Sequence, residues 1–232
     1  MSSIQFNDLG LMDYQQAWDL QEKLFSDLME SKVKAETDHK EPPAGTLLFV
    51  EHPHVFTLGK SGAPENLLVN EDFLKSKGAA FYRINRGGDI TYHGPGQIVG
   101  YPIINLDAFK IGVREYIFRM ETAVIQTLKS FDVEAGRLEG ATGVWLEADL
   151  PGKSRKICAI GVRASRGVTM HGFAFNVNTD LSFYNLINPC GFTDKGVTSM
   201  EKELGHKTAI QDVKDILLEK FLKVFNTELI SV

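Results

Sequence analysis

Cysteine is nearly missing from this chain, with only Cys158 and Cys190 among 232 residues. So few thiols exclude a disulfide-stapled secreted fold and point to a reducing compartment. Basic residues are in deficit, 25 Lys and Arg against 30 Asp and Glu, for a net charge of −5. The electrostatic footprint of a general nucleic-acid binder is therefore lacking. No apolar run approaches ~18 residues, so no helix is expected to span a membrane. Residues 1–8 carry neither a basic region nor an apolar stretch, so no secretory signal is expected and a cytoplasmic location is. No Gly-Lys-Ser/Thr follows the glycine-rich stretch at 86–97, no helix pattern opens directly after it, and the chain has no short repeat.

What remains is the composition of an ordinary globule, 43% hydrophobic and 24% charged, long enough to bury a good core. The Pro-rich stretch 38–45 is too short to be a linker, so residues 1–232 are expected to form one domain. Apolar residues at helical spacing predict three main helices, from about Tyr14 to Ala35, over 112–131, and from about Ile210 onward. Asp13 is placed to cap the first and Thr208 the last. A short helix is expected over 71–77. Strands are expected at 4–9, 46–50, 55–60, 79–84, 98–103, 143–147, 156–162 and 169–177, the last two forming a hairpin around 163–167. The elements cluster rather than alternate strictly, which predicts an α/β (α+β) domain with a mixed sheet. His52 and His54 have a metal-like spacing, but no third ligand lies nearby and Pro53 pins the backbone; a hydrogen-bonded turn is expected, and no metal.

The most distinctive stretch is Arg86-Gly-Gly-Asp-Ile-Thr-Tyr-His-Gly-Pro-Gly-Gln97, with four glycines and a proline in eleven residues. Its glycines open the main chain to close approach by a ligand, and Gly94-Pro95-Gly96 predicts a sharp bend between two strands. A merely connective turn needs two to five residues, so a cradle is expected, with Arg86 meeting an anionic or carbonyl group and Thr91 and His93 orienting it. The plain alternative is an elaborate hairpin.

Two thiols compete for the role of nucleophile. Cys158 lies in an apolar strand, where a buried thiol is a small inert hydrophobe. Cys190 lies between Pro189 and Gly191, outside regular structure, and is weakly preferred. Lys156 opens an apolar strand, where a charge is awkward, and strand alternation puts it on the face of Cys158; a solvent-exposed lysine is the plain alternative. From 151 to 179 there are five basic residues (Lys153, Arg155, Lys156, Arg163, Arg166) and no acidic one. Such a basic hairpin on an acidic protein is either a solvated face or a surface for an acidic partner protein.

With these clusters placed, the sequence resembles the octanoyltransferase family (lipoyl(octanoyl) transferases, or lipoate–protein ligases B). The resemblance rests on 86–97, on Lys156-Ile-Cys-Ala-Ile-Gly-Val-Arg163 and on Arg166-Gly-Val-Thr-Met-His-Gly-Phe-Ala174. Pro189-Cys-Gly191, Gly196-Val-Thr-Ser199 and His52-Pro-His-Val-Phe-Thr-Leu-Gly59 add to it, so that about 46–200 is covered in family order. It implies a fold similar to the catalytic domains of biotin and lipoate ligases. The implied reaction moves an octanoyl group from octanoyl-acyl carrier protein to a lysine of lipoyl domains. Acceptors would be the E2 subunits of 2-oxoacid dehydrogenases and the glycine-cleavage H protein. The route implied is a cysteine thioester, with no ATP and no cofactor. Carried over by position, the nucleophile falls on Cys190 and the activating lysine on Lys156. The acyl-binding segments fall on Arg86, Gly87, Gly88, Asp89, Ile90, Thr91, Tyr92 and His93; on Ala159, Ile160 and Gly161; and on Gly172, Phe173 and Ala174. Tyr92, Ile160 and Phe173 are expected to furnish an apolar slot. Cys158 departs from the small Ala or Ser expected there. An ATP-dependent ligase and a catalytically silent carrier-binding module are the competing readings.

Overall fold

The computed structural model describes residues 2–150, 152–188 and 195–230. In chain order these form β1 (Ser2–Leu11), α1 (Tyr14–Thr37), β2 (Gly45–Glu51), β3 (Val55–Leu58), α2 (Glu71–Ser76), β4 (Ala80–Arg83), β5 (Ile90–His93) and β6 (Gln97–Ile104). There follow α3 (Val113–Lys129), β7 (Gly136–Leu138), β8 (Ala141–Leu146), β9 (Arg155–Ser165), β10 (Val168–Asn176), β11 (Gly196–Val197), α4 (Met200–Leu204), α5 (Ile210–Phe225) and β12 (Thr227–Leu229). Three 3-10 turns lie between them, the last over Leu181–Leu186.

Two sheets share the strands. The larger runs β12-β1-β2-β6-β10-β9-β8-β7, with β11 added beside β9, and the smaller runs β4-β3-β5. The larger is mixed: β1 is parallel to both neighbours, whereas β2 through β8 pair antiparallel. Strand alternation sorts its side chains into two cores. Leu47, Phe49, Ile98, Phe173 and Phe175 face one way, onto Met120, Val124 and Leu128 of α3 and Leu217, Phe221 and Phe225 of α5. Leu48, Val50, Val99, Tyr101, Met170 and Ala174 face the other, onto Ala17, Phe25 and Leu28 of α1. Because β2 is covered on both faces, its sequence is continuously apolar instead of alternating. No helix among the described residues is long and apolar enough to cross a membrane.

The expected bend at Gly94-Pro95-Gly96 is present, but it makes no hairpin. β5 pairs with β3 in the small sheet, and β6 pairs with β2 and β10 in the large one, so the bend carries the chain from one sheet to the other. Gly96 sits at φ +78° with its main chain so near Asn178 that a Cβ would lie 2.5 Å from the Asn178 carbonyl oxygen. The β9–β10 hairpin is tighter than expected: β9 continues to Ser165, and Arg166-Gly167, both at positive φ, form a two-residue turn of the kind that matches strand twist. Asp13 caps α1, its Oδ1 accepting from Gln15 N at 2.8 Å. Thr208 does not cap α5, which starts after Ala209 without a side-chain cap; its main chain instead exchanges hydrogen bonds with Asn178. The strands and helix beyond the expected ones are β7, β11, β12 and α4, each two to five residues long, too short to carry a period.

Candidate active site

A cleft opens between the small sheet and the α1-side face of the large one. Its floor is built by β9 and β10, where Gly161 lies directly opposite Gly172 and Ala159 opposite Ala174. All four line the cleft. The intervening residues Ile160, Val162, Phe173 and Phe175 belong to the α3–α5 core. Two adjacent strands thus place their smallest residues on one face and their largest on the other, leaving a trough where side chains would otherwise fill the gap. Val99 of β6 continues the row, paired with Ala174. Trp145, Ile90 and Val197 supply further apolar wall.

The 86–89 loop forms one end. Arg86 donates from Nη1 to the Gly87 carbonyl at 2.8 Å and from Nη2 to the Asp89 carbonyl at 2.6 Å, so its guanidinium braces its own loop. It also lies across Gly161, where a Cβ would be 2.7 Å from Arg86 Nη1; only glycine admits this approach. Asp89 is fixed on both oxygens, by Ile90 N at 2.7 Å and Asn66 Nδ2 at 2.6 Å. Of the residues expected here, Arg86, Gly88, Asp89, Ile90, Thr91 and His93 line the cleft. Gly87 instead ties the loop to β9 through Val162 O at 3.1 Å. Tyr92 points the other way, into the small-sheet core. It bonds His54 at 2.7 Å and stacks on Phe183 at 4.9 Å. The expected apolar slot of Tyr92, Ile160 and Phe173 is thus corrected: Tyr92 is on the wrong face of β5. Ile160 and Phe173 border the cleft while their side chains pack in the helical-side core.

At the other end stands Lys156. The β8–β9 ladder slips there, pairing Trp145 with Lys156 but Val144 with Cys158. Three residues of β9 oppose two of β8, a bulge that breaks side-chain alternation. Lys156 lines the cleft beside Trp145, with Nζ 4.6 Å from the indole centroid. Cys158 is fully buried in the core, and burial pushes its thiol pKa far up, the state of an inert thiol. The shared face expected for the two does not exist. Cys190 lies outside the described residues. The chain on either side of 189–194 is placed, however. Asn188 donates to Asn66 O at 2.8 Å, one residue contact from Asp89. Lys195, Gly196 and Val197 line the cleft, and β11 pairs Val197 with Lys156.

Behind the floor lies a buried polar cluster of which sequence reasoning had singled out only His93 for the site. Tyr14, Tyr101, His171, Asn176 and Tyr184 all line the cleft. His52 bonds Met12 O and Tyr101 OH, each at 2.8 Å. His93 bonds Gln97 Oε1 at 2.8 Å, and Gln97 reaches Asn176 and Tyr184. Burial lowers His52 to about 4 and His93 and His171 to about 3, with Arg86 adding to the shift of the last two. All three are neutral at ordinary pH. His171 adopts φ +58° within β10, an unfavourable conformation for a non-glycine residue. Its N–H meets Gln21 Oε1 at 3.1 Å and its Nε2 Asn85 Oδ1 at 2.8 Å. Tyr14 reads as part of an amphipathic stripe in sequence; its position beside His93, rings 6.0 Å apart, needs the fold. His52-Pro53-His54 forms a bend in which both rings are hydrogen-bonded, His52 to Met12 and Tyr101 and His54 to Tyr92, and the described residues hold no cluster of three metal-binding side chains. Within the basic hairpin, Arg155 pairs with Glu203 and Glu147, and Arg163 with Glu22.

Comparison with known proteins agrees with this architecture. The model of the lipoyl protein ligase A/B catalytic domain matches residues 13–222. The octanoyltransferase of Cytophaga hutchinsonii is 54% identical over 96% of this chain and 93% of its own. That of Flavobacterium johnsoniae is 53% identical over 98% of each. Among solved structures, the bipartite lipoate protein ligase of Thermoplasma acidophilum superimposes with a TM-score of 0.70 at 17% identity, covering all of this chain and 87% of that one. Biotin protein ligase from Aquifex aeolicus gives 0.50 at 10%, covering 97% and 70%. These distant likenesses speak to the fold, the near ones to kinship. The chain belongs to the lipoyl protein ligase A/B catalytic-domain family, within its octanoyltransferases, and is an acyltransferase.

Proposed function

We propose that this protein transfers an octanoyl group from octanoyl-acyl carrier protein to a lysine of lipoyl domains, those of 2-oxoacid dehydrogenase E2 subunits and of glycine-cleavage H protein. The whole chain acts as one catalytic domain, in the cytoplasm and without ATP. The observation that carries this reading is the trough floored by Ala159, Gly161, Gly172 and Ala174 with Lys156 at its end. Such a trough suits an unbranched alkyl chain, and the amine stands where the chain's carbonyl would arrive.

In the first half-reaction the Cys190 thiolate attacks the thioester carbonyl and the carrier's thiol leaves, taking a proton. In the second the acceptor lysine's amine attacks the Cys190 thioester, an amide forms, and the thiolate is released. Both steps exchange one acyl bond for another of equal or lower energy, so no activation by nucleotide is required. Lys156 as ammonium stabilises the thiolate; as free amine it takes the proton from the incoming nucleophile. One described flank of 189–194, Lys195 to Val197, lines the cleft, and the other, Asn188, bonds Asn66, which holds the cleft-lining Asp89; this supports Cys190 over the core-buried Cys158.

Intact mass spectrometry after incubation with octanoyl-acyl carrier protein tests the route. An octanoyl adduct is expected on wild type and Cys158→Ser and none on Cys190→Ser. Loss of the adduct in Cys158→Ser alone moves the nucleophile into β9. ATP-dependent transfer of free lipoate with no adduct makes the protein a ligase. Lys156→Ala is expected to cripple turnover with the fold intact; full activity in that variant removes the lysine from the mechanism.

A further inference from the structure

The bulge in β9 does more than separate Lys156 from Cys158: it pairs Lys156 with Trp145 across the strands. The lysine stem passes Gly143, where an added Cβ would come 3.5 Å from Lys156 Cε. Its ammonium then ends over the indole, 4.6 Å from the centroid. That indole is not free to drift. Trp145 is 1% exposed, and its Nε1 donates to Ala141 O at 2.9 Å. Gly143, two residues back on the same strand, is held by Glu121, whose Oε1 accepts its N–H at 2.9 Å.

We propose that Trp145 is a positioning residue for acyl transfer: its π face holds the Lys156 ammonium at the end of the trough and raises the pH at which that ammonium releases its proton. The proposal rests on the reading of Lys156 as the residue that activates the thiol. The ring's negative face attracts a cation and not a neutral amine, so the charged form is favoured and the lysine titrates higher than it would beside an aliphatic residue. Other groups around this position also act on it. Among them, Cys158 on its own strand interacts with it electrostatically, Asp89, Arg86, Lys195 and Tyr184 line the same cleft, and Glu121 from α3 holds the neighbouring Gly143. None of them changes when only the indole is altered, so a comparison across indoles isolates the π contribution.

Fluorination drains charge from the ring face while preserving its shape. The test is performed on the full chain in a Trp18→Phe background, leaving Trp145 as the one tryptophan. Mono-, di- and trifluorotryptophan are incorporated, and the Lys156 side-chain carbon resonance, assigned by its loss in Lys156→Ala, is titrated with pH. The expected result is a stepwise fall of the Lys156 midpoint, reaching about 0.4 to 1.5 pH units when the π attraction is gone. The lysine-dependent limb of the pH–rate profile should move by the same amount. Trp145→Phe should fall between wild type and Trp145→Leu. A midpoint that stays flat across the fluorinated series overturns the proposal, whatever Trp145→Leu does to folding. If Lys156→Ala retains full transfer, the catalytic reading of Lys156 falls, and the resonance titration still decides whether Trp145 holds the ammonium.

Discussion

Filling the trough is the most direct challenge to the proposed acyl site. Ala159 is half-buried, faces the cleft and lies opposite Ala174, so Ala159→Leu projects three more carbons into the space assigned to the alkyl chain. Each methylene kept from its apolar site forfeits ~0.8 kcal/mol, and the displacement of three to four methylenes costs about 2.4–3.2 kcal/mol. At 1.36 kcal/mol per tenfold, kcat/KM for octanoyl-acyl carrier protein should fall roughly 60- to 200-fold. An acetyl donor, which needs only the Lys156 end, should lose little. The assay compares kcat/KM for acetyl and octanoyl donors in wild type and variant, with thermal melting as control. The added side chain enters open space, so Tm should hold. Equal losses on both donors, or no loss on octanoyl, would refute the assignment of this trough to the acyl chain.

Two further outcomes follow from the buried groups. His52, His93 and His171 titrate near 4, 3 and 3 in the fold but near ~6.5 when unfolded. The unfolded chain therefore binds more protons below that value. The stability contributed by keeping these rings neutral is complete above about pH 6.5 and is lost as pH falls toward 3–4, by up to ~1.4 kcal/mol per histidine per pH unit. Urea midpoints at pH 7.5 and pH 5 measure this, and an unchanged midpoint would contradict the burial argument. Gly172→Ala places a Cβ 2.1 Å from the Gly100 carbonyl oxygen, a main-chain atom held in the β6–β10 pairing. Overpacking of about 1–3 kcal/mol is expected, seen as a Tm lower by several degrees, and a wild-type Tm would show that the strands can part without cost.

The sequence alone determined the local facts. Periodic apolar residues define α1, α3 and α5 because a helix must bury a stripe, and continuous apolar residues define β2 because it is covered on both faces. The small residues Ala159, Gly161, Gly172 and Ala174 were visible as part of motifs, and the glycine bend at 94–96 as a bend. The tertiary structure decided what these pieces do together. Strand pairing, pinned by the two-residue Arg166-Gly167 turn, sets Gly161 against Gly172 and Ala159 against Ala174, and so turns four small residues into a trough. Sheet assignment, fixed by long-range pairing, made the glycine bend a crossover rather than a hairpin and sent Tyr92 into a core. A one-residue bulge aimed Lys156 at Trp145 while burying Cys158, against the alternation that the sequence suggested. Tyr14 and His171 reach the site from elements distant in the chain, one on a helix stripe that reads as core and one through a positive φ that no residue type announces. Side-chain type is written in the sequence; which side chains share a space depends on pairings that range from hairpin neighbours to residues 150 apart.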